Sequence, residues 1–90
     1  MAACKRVLYQ GNVQGVGFRM TTLRIAERYA VTGYVRNLAD GQVEVVVAGE
    51  PDEIERFLGA VAARMAGNIH GHRITDEAEP HAFVNFEIRN

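Results

Sequence analysis

Apolar and polar positions along this 90-residue chain switch between two periods, and each switch marks an element. In "RVLYQ" (6–10), β-branched and aromatic residues run up to Gly11, which predicts a first strand. Over "FRMTTLRIAERYA" (18–30) the period lengthens. Phe18, Thr22, Ile25, Ala26 and Tyr29 recur at helical spacing, with Arg24, Glu27 and Arg28 on the other side, so a helix is expected. "VTGYVRN" (31–37) and "QVEVVVAG" (42–49) read as two further strands. They are joined through "LADG", where Asp40-Gly41 signals a hairpin because Gly41 can supply a positive φ. "EPDEIERFLGAVAARM" (50–65) is the clearest helix. Pro51 suits the first helical position, and Asp52, Glu53 and Glu55 complement the positive end of the dipole. Ile54, Phe57, Leu58, Val61 and Met65 form its apolar stripe, and Gly67-Asn68 is a natural stop. Residues 69–81 are weakly patterned, with room for one irregular strand. "FVNFEIR" (83–89) alternates, with Val84, Phe86 and Ile88 on one face and Asn85, Glu87 and Arg89 on the other.

The order is therefore β-α-β-β-α-β, with an extra strand possible within 69–81. Two helices with one apolar stripe each are expected to cover one face of an antiparallel sheet. That is the α+β, split β-α-β sandwich of the ferredoxin-like type. Such a fold hosts many unrelated activities, so function has to be read from a site.

Composition limits the partners. Ninety residues make one small domain, spanning 1–90, able to bury roughly 60–65% of its unfolded surface without staples. A net charge of −1 does not suggest a polyanion-binding surface, so no nucleic acid is expected. No apolar run approaches a membrane span, and no membrane partner is expected. A lone cysteine, Cys4, cannot form an internal disulfide; with no signal peptide at the start, a reducing cytoplasm is the expected setting.

The chemistry concentrates in "GNVQGVGFR" (11–19), three glycines between a strand and a helix, then an arginine. A helix start presents unpaired N–H donors and partial positive charge, and glycines let the backbone close around anionic oxygens. It is not a P-loop, because Gly17 is followed by Phe18-Arg19 rather than Lys-Ser/Thr. It is not a dinucleotide fingerprint either, since position 20 is Met20 and no parallel β-α-β unit is present. Arg19 in the first turn opposes the dipole unless an anion binds there, and its guanidinium fork can hold two phosphate oxygens. Composition alone leaves a second reading open, a tight turn with a solvated Arg19.

The whole string "GNVQGVGFR", together with "GYVRNLADGQVEVVVAGE" (33–50), closely resembles the two signature segments of acylphosphatases. That pattern is Gly-x-Val-Gln-Gly-Val-Gly-Phe-Arg, followed by Gly-Trp-Val-Arg-Asn-x-x-Asp-Gly-x-Val-Glu at the spacing found here. The resemblance covers residues 5–66 and the last strand, including the closing "FEIR". Departures are Asn12 for a frequent basic residue, Tyr34 for tryptophan, Ala39 for proline and Asn90 for tyrosine; 66–81 matches poorly. The resemblance implies hydrolysis of the carboxyl–phosphate anhydride of acyl phosphates, with no metal and no cofactor. It implies that Arg19 is the essential arginine and Asn37 the asparagine that orients the attacking water. The backbone of Gln14, Gly15, Val16, Gly17 and Phe18 becomes the phosphate cradle. Thr22, one turn after Arg19, matches a frequent threonine and takes a supporting role. Orthophosphate is then product and competitive inhibitor, and the chain a monomer.

Other residues carry less. Alternation sets Asn37 on the face of Val35 and opposite Arg36, which reads as a solvated sheet residue. Asp40 and Gly41 read as turn chemistry. His70 and His72 share a strand face, but with only His81 as a further candidate they read as surface residues rather than metal ligands. Cys4 has no catalytic partner in the sequence. Three rival functions remain: an anion- or nucleotide-sensing binding module, the equivalent domain of a larger carbamoyl-transferring maturation protein, and an RNA-recognition module. The first has no use for a water-orienting amide. The chain's self-contained look speaks against the second. The third needs aromatic stacking residues and a basic sheet face, which "VEVVVAG" and the net charge do not offer.

Overall fold

Five strands and two helices form in the computed structural model, which describes residues 2–77 and 83–90. In chain order they are β1 (Ala3–Gly11), α1 (Phe18–Ala26), β2 (Val31–Asn37), β3 (Val43–Gly49), α2 (Pro51–Arg64), β4 (Ile69–Asp76) and β5 (Phe86–Arg89). The sheet runs in the order β4-β1-β3-β2-β5. Its first four strands are the antiparallel sheet expected of the ferredoxin-like sandwich. The fourth place, however, belongs to 69–76 and not to the closing "FEIR". β4 pairs antiparallel with β1 along its length, while β5 joins the opposite edge parallel to β2. Periodicity could not foresee this. β4 is an edge strand exposed along most of its length, so its sequence is under little pressure to alternate.

Several boundaries differ from the sequence reading, and β1 already begins at Ala3 rather than 6. α1 stops at Ala26 rather than 30, because the N–H groups of Arg28 and Tyr29 turn to the carbonyls three residues back, at 3.0 and 3.1 Å. The next amide, Ala30, donates to the Glu53 carboxylate of α2 at 2.9 Å. Glu53 therefore closes the end of α1 as well as flanking the start of its own helix. At the other end, Val84 does not share the face of Phe86 and Ile88. It is 94% exposed and lies before β5 begins.

The core lies between the sheet and the helices. Val7, Tyr9, Val35, Val43, Val45 and Val47 meet Phe18, Ile25, Ile54, Phe57, Val61 and Met65, with Phe86 and Ile88 packed at the β5 edge. β3 is central and buried on both faces from Val43 to Ala48, so Glu44 is buried too. Its carboxylate takes hydrogen bonds from Arg6 and Arg36, each at 2.6 Å, on the face away from the helices. Arg36 is therefore not merely solvated. It is half exposed and shares with Arg6 the neutralisation of a buried charge.

Burial works to raise the Glu44 carboxyl, but the bonds and charges of Arg6 and Arg36 outweigh it and hold the group below its ordinary value. The unfolded chain thus binds this proton more tightly than the folded one. The stabilisation is complete above the ordinary carboxylate value of about 4.3 and disappears as pH falls through it toward the depressed folded value. Wild-type melting temperature is expected to drop steeply below about pH 5. Glu44→Gln should be less stable at neutral pH and show a shallower acid slope in the same melts. Equal slopes would assign the acid sensitivity to other carboxylates.

Candidate active site

Topology brings the glycine loop and Asn37 together. β1 and β2 both run antiparallel to β3, so they end at the same edge of the sheet, and β5, parallel to β2, ends there too. The loop after β1 and the last residue of β2 consequently meet. Asn37 and Tyr9 flank Val43 in one row across the sheet, on the helix face. The Tyr9 ring packs on Phe18, the first residue of α1, with centroids 5.1 Å apart. Burial raises the Tyr9 phenol well above its ordinary value, which keeps it neutral and suited to holding Phe18 in place. Arg19 is the next residue along that helix.

The loop conformation follows from its glycines. Gly15 and Gly17 have φ of 77° and 78°, a left-handed geometry that L side chains resist, and Gly17 is the N-cap of α1. No side chain caps the helix, and its first turn carries no acidic residue. Thr21 donates the first intrahelical bond, to Gly17 at 3.0 Å, which leaves the N–H groups of Phe18, Arg19 and Met20 outside the helical ladder. Left-handed glycines on both sides of Val16 and a helix start without a side-chain cap are the backbone features from which anion nests are built.

These groups open into a pocket of about 230 Å³. Gly15, Gly17 and Phe18 supply one wall, Arg19 and Asn37 the polar side chains, and Val13, Met20 and Ile88 the apolar surround. Arg19 and Asn37 are both partly exposed. Five of the residues singled out in the sequence thus line one cavity; Gln14, Val16 and Thr22 do not. Val16 is 38% exposed, at the outside of the loop. Thr22 is fully buried on the inner face of α1, and its hydroxyl has no hydrogen-bond partner among the described residues. The Gln14 side chain turns the other way, donating to the carbonyls of Leu38 and Gln42, both at 2.8 Å. It ties the loop to the hairpin that follows Asn37. That hairpin is itself held by the Asp40 carboxylate, which accepts from the Gln42 amide at 3.0 Å, in line with the turn reading of Asp40 and Gly41.

Three pocket residues escaped the sequence reading. Val13 sits in the loop with the spacing of an ordinary hydrophobe, and Met20 follows Arg19 on the helix. Ile88 was visible as an alternating strand residue, but only the parallel pairing of β5 beside Val35 brings it to this edge. His70 and His72 lie on exposed β4, the His72 ring 6.4 Å from that of Tyr9. Cys4 is buried on the opposite face of the sheet. His81 lies outside the described residues. Among the described residues no three His, Cys, Asp or Glu side chains gather as a metal set.

A family model described as Acylphosphatase matches residues 5–88. A Yersinia pseudotuberculosis acylphosphatase is 42% identical over 83 residues, covering 88% of this chain and 87% of its own length. One from Archaeoglobus fulgidus is 37% identical, with 91% and 92% covered. Among solved structures, the acylphosphatase of Bacillus subtilis superposes with a TM-score of 0.87 at 26% identity, over 100% of both chains. The chain belongs to the acylphosphatase family, whose enzymes hydrolyse acyl phosphates.

Proposed function

We propose that the chain hydrolyses acyl phosphates by direct attack of a positioned water, without a metal. The phosphoryl oxygens rest on the loop N–H groups between Gln14 and Phe18 and on the Arg19 guanidinium, and the Asn37 amide carbonyl orients the water. The observation that carries this reading is the shared pocket in which glycine loop, Arg19 and Asn37 meet.

In the step itself, the water oxygen forms a bond to phosphorus as the bond from phosphorus to the acyl oxygen breaks. The electron pair leaves on a carboxylate, a leaving group that needs no protonation. A loose phosphoryl-transfer transition state asks mainly for charge stabilisation and alignment, so a strong base is dispensable. Among the described residues no carboxylate or imidazole lines the pocket, and the phosphoryl oxygens themselves can accept the water proton. A neutral amide suits Asn37, because an Asp or Glu there would sit against a dianion. Orthophosphate, which shares the gripped group, should compete with substrate. The small substrate and a single buried thiol at Cys4 fit a monomer working in a reducing cytoplasm.

Asn37→Ala tests the division of labour. Turnover of benzoyl phosphate, assayed with a chelator present, should fall by about 10²-fold or more while orthophosphate inhibition stays near wild type. Near-normal turnover in this variant would refute the role of Asn37, and complete dependence on added metal would refute the metal-free step.

A further inference from the structure

A second concentration of positive charge lies around the C-terminal end of α1, apart from the loop. Arg24 and Arg28 stand four residues apart, and both line a groove of about 290 Å³ with Arg64 of α2. Ile25, Tyr29 and Ala60 supply its apolar part. All three arginines are exposed, and among the described residues none makes an ion pair, whereas Lys5, Arg6, Arg36, Arg56 and Arg89 each have a carboxylate partner. Like charges gathered around one groove repel, and a third cation from another helix adds to the repulsion. The negative ends of the helix dipoles favour Arg24 and Arg64, each in a last turn. That accounts for those two cations singly. It does not account for three unpaired guanidiniums around one concave space in a chain of net charge −1.

We propose that this groove is a second anion site, built for an oligophosphate of two or three linked phosphate groups. Guanidinium forks from α1, the turn after it and α2 suit an elongated ligand with several bidentate acceptors better than a single phosphate. The cavity is near the lower bound of small-ligand pockets, about 300 Å³. Exposed Asp52 and Glu55 on α2 disfavour a long polyanion laid along the same helix. The site is separate from the loop pocket: Arg19 and Met20 belong to one, Arg24 and Arg28 to the other.

Isothermal titration with inorganic tripolyphosphate, the loop kept filled by excess orthophosphate, tests this. One equivalent should bind per chain, more weakly as ionic strength rises. Arg28→Gln and Arg64→Gln should each weaken it by about tenfold or more, as for the loss of a charged hydrogen bond. Binding should persist in Arg19→Gln, which separates this site from the loop whatever the loop's own role. All three groove positions are exposed, so matched thermal melts should verify intact folding. Binding lost in Arg19→Gln but kept in Arg64→Gln would place the ligand in the loop and overturn the proposal. So would the absence of binding to wild type, or binding indifferent to both groove substitutions.

Discussion

Replacing Arg19 by glutamine is expected to lower acyl phosphate turnover by about 10³-fold or more and to abolish inhibition by orthophosphate. Glutamine keeps much of the side chain's length and can still donate a hydrogen bond, so the loss reports the charge and the fork. Arg19 is partly exposed and sits in a helix start that would be more comfortable without a cation. Stability should therefore be unchanged or slightly raised, which separates a lost site from a lost fold. Arg19→Lys should recover part of the phosphate affinity as a point charge and little of the rate, because the planar fork is missing. Parallel assays of benzoyl phosphate hydrolysis, orthophosphate inhibition and thermal melting would decide it. Turnover within about tenfold of wild type in Arg19→Gln would remove this residue from the mechanism.

The largest stability effect is expected far from the pocket, at Gly33→Ala. Gly33 is buried in β2 with φ of 142°, a conformation open to glycine and strained for alanine. A Cβ there would lie 1.9 Å from the carbonyl oxygen of Val46 and 2.8 Å from its carbon, both backbone atoms of the central strand. Neither can swing aside, as the tip of a side chain could. Relief requires β2 and β3 to separate where Tyr34 pairs with Val46 and Gly33 with Val47. The cost should reach about 4 kcal/mol or more, a large share of the stability of a domain this size. Urea denaturation should show a collapsed midpoint, or the variant should fail to accumulate as folded protein. Gly59→Ala is the matched control. It lies in α2, where nothing stands within 4 Å of an added Cβ, so helix propensity predicts a gain of roughly 0.5–1 kcal/mol. A Gly33→Ala variant as stable as wild type would mean the two strands do not approach this closely.

Much of the fold was legible because most elements bury one face, and burial imposes a period. The stripe Ile54, Phe57, Val61 and Met65 belongs to a helix whichever sheet it covers, and β2 was read at its observed bounds. β4 was hard to see because exposure removes that pressure. Val84 misled because alternation runs on for one step beyond the point where pairing begins. The glycine loop and Arg19 were conspicuous because the required conformation narrows the choice of residues to glycine. Asn37 was not conspicuous. As an isolated asparagine before a turn it has the composition of any hairpin, and the signature string singled it out.

By itself, the sequence determined most of the elements, a glycine loop of the composition an anion cradle needs, and the family, since local backbone preference and burial period are written residue by residue. Only the tertiary structure decided that the end of β2 lies beside a loop twenty residues earlier in the chain, and that Ile88 joins them. It also decided that Glu44 is buried between two arginines, and that three others converge unpaired on a groove. These are matters of strand order and direction. They depend on which strands pair, a cooperative choice of the whole chain that no short window of residues encodes.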